Sequence, residues 1–247
     1  MVPELEKQAR VMSVFDKFEM PKLKEPALVR LRFRKVGNLQ YISHLDLQRV
    51  FSHILTRSGV PVWYTEGFNP HPKMVFALPL SVGTQSVCEY LDIKIDRKIS
   101  LDEIVERLNN QVTDELKIEK AYFPVTKFQE IATVEYQISI FDETVTAETA
   151  AKIEELFKNQ TLKATKKTKS GEKEIVINDY IKELSASSVD KKLDVTVKLA
   201  AGEGSLNPET IVSALREKLS LLADYPNDGY YTITRTHLYF ANGREFE

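Results

Sequence analysis

LVRLRFRK, residues 28–35, alternates apolar and cationic side chains. A period of two is that of a β-strand with one face against a core. Leu31 and Phe33 fall on one face, led in by Leu28 and Val29, while Arg30, Arg32 and Arg34 fall on the other. After a turn at Val36–Asn38 the period changes. Leu47, Val50, Phe51, Ile54 and Ser58 recur at helical spacing. Ser43 and Asp46 stand at the start of this segment in a capping-box-like pattern, and Gly59 ends it. VPVWY (60–64), MVFALPL (74–80) and VCEYLDIKID (87–96) read as extended segments. Ser100 caps a helix through Leu108, and LKIEKAYF (116–123) closes the unit as a strand. The order β-α-β-β-α-β predicts a ferredoxin-like split βαβ domain.

The pattern recurs downstream. TVEYQISIF (133–141) reads as a strand, residues 146–159 as a helix, and 161–166 with 174–177 as a hairpin turning at Ser170–Gly171. KKLDVTVKL (191–199) reads as a strand, Asn207–Pro208 as a helix start, and YYTITRTHLYF (230–240) as a closing strand. The expected class is α+β: two ferredoxin-like domains with antiparallel sheets, each covered by helices on one face. Residues 1–26 are an N-terminal arm or linker, 27–128 the first domain and 129–247 the second, joined near 127–131.

With 247 residues, each domain can bury its own core. A composition 43% hydrophobic and 28% charged argues for a globular chain and against disorder. No apolar run approaches the ~20 residues of a membrane span, and the charged first twenty residues lack a secretory h-region. The expected location is the cytoplasm, with no membrane partner. The single cysteine, Cys88, excludes an internal disulfide, a cysteine-rich zinc site and an iron–sulfur cluster. No cofactor or metal is expected. Net charge is −2, but residues 21–95 hold ten Lys/Arg against five acids, a local basic excess.

YTEGFNPHPK (64–73) interrupts core-forming sequence with a polar segment of stiff backbone. Gly67 suits a positive φ. Asn69 and His71 each precede a proline and are biased toward extended backbone. Phe68 is expected to plug the core and leave the polar side chains displayed. Ser43, His44, Asp46, Glu66, Asn69, His71, Lys73 and Glu89 form the candidate binding pocket, with the loop and the helix start converging on one cleft. His44 and His71 are the candidate acid/base groups should the chain be a catalyst. Arg49, His53 and Arg57 follow i, i+4, i+8 spacing on one stripe of the helix, which also suits a solvated face. Glu89 shares a strand face with Leu91, Ile93 and Ile95, where a carboxylate must be paired or exposed at the strand end.

In a ferredoxin-like sheet the strand at 87–96 neighbours the first strand. Arg30, Arg32 and Arg34 would then share the helix-free face with Tyr90, a combination suited to single-stranded RNA. Arg30, Arg32, Arg34, Arg49, Arg57 and Lys73 are the candidate phosphate contacts. Cross-strand pairing of these arginines with Asp92 is the competing reading.

YISHLDLQRVF and SGVPVWYTEGFNPHPKMVFALPLSVGTQSVCEYLDIKI resemble the radical-SAM-associated family of uncharacterised bacterial proteins. The likeness is strongest over 28–125 and continues to TRTHLYF. Members of that family stand alone or are fused behind a cobalamin-binding radical SAM enzyme. The resemblance therefore implies a radical SAM enzyme as partner and, by association, tRNA or rRNA modification or ribosome biology. The fold also resembles that of CRISPR RNA-processing endonucleases with paired ferredoxin-like domains. The leading expectation is an RNA-binding or substrate-presenting partner that is not a catalyst on its own. The alternatives are an RNA-processing or RNA-modifying enzyme, in which Lys73 would stabilise developing phosphate charge, and a pure protein-interaction module.

Overall fold

A computed structural model describes residues 20–168, 171–202, 205–227 and 229–247. The expected arm at residues 1–19 lies outside them. The architecture is mixed α+β with mostly antiparallel strand pairing and, among the described residues, four α-helices. The chain divides into two compact units. The first holds residues up to Arg34, His44–Ala77 and Glu89–Pro124; the second holds Lys35–Ser43, Leu78–Cys88 and Val125–Glu247. Both are assembled from separated stretches of chain, unlike the contiguous domains expected.

In the first unit, strand β1 (Lys22–Lys35) begins inside the segment expected to be a linker. Helix α1 (His44–Arg57) follows, then the short β2 (Met74–Phe76), β3 (Thr84–Arg97), α2 (Leu101–Asn109) and β4 (Ile118–Tyr122). The strand order is β4-β1-β3-β2, with β4 antiparallel to β1 and β2 antiparallel to β3. Val29, Leu31 and Phe33 are fully buried on the face toward α1, and Phe33 meets Phe51 edge-on at 4.8 Å. The Ser100 hydroxyl caps α2 by accepting from the Glu103 amide. Asn109 exchanges two hydrogen bonds with the Ile118 backbone and so joins the end of α2 to β4. The segment 60–64 makes isolated bridges, Val62 to Ile95 and Tyr64 to Pro72, in place of the strand expected there.

The second unit contains β5 (Ile131–Asp142), α3 (Thr149–Asn159), the hairpin β6 (Lys163–Thr168) and β7 (Gly171–Val176), β8 (Ile181–Val189), β9 (Lys192–Ala200), α4 (Glu209–Leu219) and β10 (Gly229–Phe240). The first residues of β3 pair parallel to β10, and the order continues β10-β5-β9-β8 with antiparallel pairing. Ile138, Ile140, Val195 and Val197 are fully buried within this sheet. Pro208, not Asn207, is the N-cap of α4, although the Asn207 side chain accepts from the Glu209 amide. Gly229 is required: a Cβ there would stand 2.1 Å from the Phe141 carbonyl oxygen.

Candidate functional site

Helix α1 buries Leu47, Phe51, Ile54 and Leu55 and leaves Arg49, His53 and Arg57 exposed. The stripe read from i, i+4 spacing is thus a solvent face. Arg49 donates to Asp46 one turn earlier at 2.8 Å, an exposed pair of small energetic weight. The helix stops at Gly59, whose φ of 69° is left-handed. The buried Arg107 holds this end by donating to the Gly59 carbonyl at 2.9 Å while pairing with Glu103.

The loop that follows is knitted by its own backbone. The Thr65 amide donates to the His71 carbonyl at 2.9 Å, and the Lys73 amide to the Trp63 carbonyl at 3.1 Å. The His71 amide donates to the Thr65 hydroxyl at 3.2 Å, and His71 Nδ1 lies 3.1 Å from the Asn69 carbonyl oxygen. A carbonyl only accepts, so this contact calls for the proton on Nδ1, the tautomer in which Nε2 is an acceptor, while the Thr65 hydroxyl lies 3.2 Å from the same Nδ1. Gly67, with φ 129°, turns the tip. Glu66, Phe68, Asn69, His71 and Lys73 are all exposed.

Phe68 overturns its expectation. Its relative exposure is 112%, so it stands out from the tip of the loop and plugs nothing. The hydrogen bonds just described close the loop on itself, and no apolar anchor is needed to shape it. At the loop base, the Tyr64 hydroxyl lies 3.2 Å from the Thr56 hydroxyl in the last turn of α1. Thr56 is about 18 Å along the helix from His44, at 1.5 Å per residue. His44 itself contacts Gln48 at 3.0 Å and the edge of Phe76 at 5.2 Å. The two candidate histidines therefore occupy separate environments, and the loop extends from the opposite end of α1 to the half-buried Ser43, His44 and Asp46.

The arginine row of β1 is also not the open face expected. Arg30 is 1% exposed and forms a two-point ion pair with Asp92, at 2.7 and 2.9 Å. This is the cross-strand pairing that competed with phosphate binding, and burial leaves Arg30 no access to a phosphate. Tyr90 beside it is buried as well. Arg32 lies 3.4 Å from Glu119, and Arg34 donates to the Asp114 carbonyl at 2.7 Å. Glu89 is 3% exposed, so it is buried and not displayed as a surface group. Among the described residues, no group of three or more His, Cys, Asp or Glu could hold a metal ion.

The second unit contains a cluster that the sequence did not single out. Glu135 accepts from Thr236 at 2.9 Å, His237 at 2.9 Å and Tyr239 at 3.1 Å. In the pairing of β10 with β5 the register shifts between Arg235 and His237, so successive β10 residues reach one carboxylate. Burial pushes the Glu135 carboxyl up, but these hydrogen bonds outweigh it and leave it below its usual range. Burial and Glu135 push the Tyr239 hydroxyl up to about 12. At Asp142 and Asp194 burial is likewise outweighed, by Thr144 and the Leu222 amide at the first and by Lys192 and Ser139 at the second.

A carboxyl depressed in the folded state contributes stability above its unfolded pKa and loses it as pH falls through the folded value. All three shifts have that sign. The melting temperature should therefore hold from pH 7 to about 5 and fall as the pH drops below about 4, the unfolded carboxylate range. Asp142→Asn should melt lower at pH 7 and show a shallower acid dependence. Thermal melts at stepped pH check both, and an acid dependence identical to the parent's would remove Asp142 from the account.

No curated protein matches the chain. Among solved structures, a crystal structure described as a "putative glycine cleavage system transcriptional repressor" aligns at 13% identity over 87% of this chain and 98% of that one, with a TM-score of 0.23. A score so low carries no argument about fold or function. Among the described residues no helix is long and apolar enough to cross a membrane. A family model, by contrast, matches residues 29–208, spanning β1, α1, the loop and most of the second unit. The chain belongs to the family described as uncharacterized protein conserved in bacteria (DUF2344).

Proposed function

We propose that the chain is an RNA-binding partner of a radical SAM enzyme, and that it grips single-stranded RNA with the loop 64–73 and the exposed stripe of α1. The observation that carries the RNA reading is the fully exposed Phe68, at the tip of a loop held rigid by its own hydrogen bonds. Single-strand binders combine cationic tracks with aromatic rings on which bases stack. Here the loop base is tied to Thr56, next to the exposed Arg57 and one turn from the exposed His53. Phe68 stacks on a base, Arg57 and Lys73 contact phosphate, and Asn69 with His71 Nε2 contact a base edge. Arg30 takes no part, being buried against Asp92. The radical SAM partner rests on the sequence resemblance alone. Each unit also suits a ferredoxin-like reading: leaving out the β6–β7 hairpin, the strands of each run fourth, first, third, second, in β4-β1-β3-β2 and β10-β5-β9-β8.

Fluorescence anisotropy with a labelled single-stranded RNA oligonucleotide tests this. Phe68→Ala should weaken binding by about 5- to 150-fold, the weight of about 1–3 kcal/mol for one stacked base. Its stability should stay within about 0.5 kcal/mol of the parent, since the ring is exposed. Arg57→Gln and Lys73→Gln should each lower the magnitude of the log–log salt slope by about 0.7. Equal affinity of parent and Phe68→Ala would end the RNA reading. If Phe68→Ala instead lost capture of a radical SAM enzyme while RNA binding was unaffected, the loop would be a protein-docking element.

A further inference from the structure

The hairpin that displays Phe68 joins the sheet of the first unit at its base. Val62 is bridged to Ile95 and Tyr64 to Pro72, both antiparallel. Trp63 therefore stands opposite Lys94 on one side and Lys73 on the other. Backbone bonds fix both pairings: the Trp63 amide donates to the Lys94 carbonyl at 2.7 Å, and the Lys73 amide to the Trp63 carbonyl at 3.1 Å. Residues directly opposite in a sheet share a face, so Lys94, Trp63 and Lys73 form one cross-strand row. Their neighbours Val62, Pro72 and Ile95 are buried, whereas Trp63 and Lys94 are half-buried and Lys73 is exposed. Tyr64 alternates with Trp63 and reaches Thr56 of α1, which puts the row on the face away from that helix.

Lys94 Nζ lies 5.6 Å from the indole centroid, within cation–π range. Among the described residues no ion pair joins Lys73 or Lys94 to a carboxylate, and no other ring or cation stacks on the indole. The arginines of β1 differ: Asp92, Glu119 and Asp114 match them. We infer that the row is a second stacking position for single-stranded RNA, with one base on Trp63 and its flanking phosphates on Lys73 and Lys94. This rests on the RNA reading of the loop and carries the strand from the tip to the helix-free face. Two ammonium groups around one aromatic ring, without acids to neutralise them, favour a polyanion with flat bases. Neighbouring strands lie about 4.8 Å apart, so the two lysines are anchored about 10 Å from each other with the indole between them. Trp63 is five positions from Phe68, at most about 18 Å of extended chain, so a few nucleotides span both rings.

Trp63 is the only tryptophan of the chain, so its emission reports this position alone. Oligouridylate is titrated into the full-length protein, with Trp63 emission followed for the unlabelled strand and anisotropy for a labelled one. The emission should be quenched saturably, at the midpoint the anisotropy gives. Phe68→Ala should move both midpoints to higher concentration and keep the quench at saturation. Lys94→Gln should weaken binding severalfold and lower the magnitude of the log–log salt slope by about 0.7. Trp63→Leu should weaken binding by about 5- to 150-fold, and Trp63→Phe, which keeps a stacking face, by less. Should Trp63→Leu fail to fold, the quench and the Lys94→Gln slope decide. RNA binding with unchanged Trp63 emission, or a Lys94→Gln slope equal to the parent's, would overturn this inference and leave the loop reading standing. No anisotropy change at all would end both. Quenching by a radical SAM enzyme and not by RNA would overturn it in favour of a protein interface.

Discussion

Arg30→Met should destabilise the protein by about 3–5 kcal/mol, because it leaves the Asp92 carboxylate buried without the guanidinium that compensates it. The guanidinium is 1% exposed and the carboxylate 10%, and two parallel hydrogen bonds join them. Losing one partner costs far more than losing both. The double variant Arg30→Met/Asp92→Leu should recover most of the loss, since well-packed apolar groups replace a buried ion pair at little net cost. Urea denaturation of the parent, both single variants and the double variant measures this directly. A single-variant loss under about 1 kcal/mol would mean that water reaches the pair and that burial does not set its energetics.

Phe51→Ala should cost a comparable about 3–5 kcal/mol. The ring is fully buried and packs edge-on against Phe33 at 4.8 Å and Phe76 at 5.6 Å. Removing it opens a cavity at the junction of β1, α1 and β2, and the close packing there collapses only in part. The contrast with Phe68→Ala makes the measurement decisive. Two phenylalanines seventeen positions apart should divide cleanly, one affecting stability and one affecting binding. If Phe68→Ala melted early as well, the loop would be packed in solution and its role as a displayed anchor would fall.

LVRLRFRK announces its buried side because Val29, Leu31 and Phe33 follow the strand period, and that period is a local property. The other side shows where local reading ends. Arg30, Arg32 and Arg34 are identical in type and spacing, yet Arg30 is buried and Arg32 and Arg34 are half-buried. The difference at Arg30 is Asp92, sixty-two positions away, and no period encodes so distant a partner. Phe68 misled for a related reason. Its apolar side chain suggested a core anchor, but Thr65, Asn69 and His71 close the loop without it. The strand β8 went unread because IKELSASSV lacks apolar alternation: it is an edge strand with much of its length exposed. The stiffness of the loop and the exposed stripe of α1 were legible, since proline chemistry and helical spacing are both local.

The division of β3 between the two units sets an order of events during synthesis. The first unit is complete in sequence once Pro124 has left the ribosome. The second is not, because its β3 residues pair with β10, and 147 positions separate Cys88 from the Arg235 carbonyl it meets. At about 5–20 residues per second, Cys88 waits roughly 7–30 s for that partner. Throughout that interval the nascent chain carries a half-used strand with an open hydrogen-bonding edge, the kind of surface that invites pairing with another chain. Translation speed and chaperone supply therefore bear on the yield of this protein through β3.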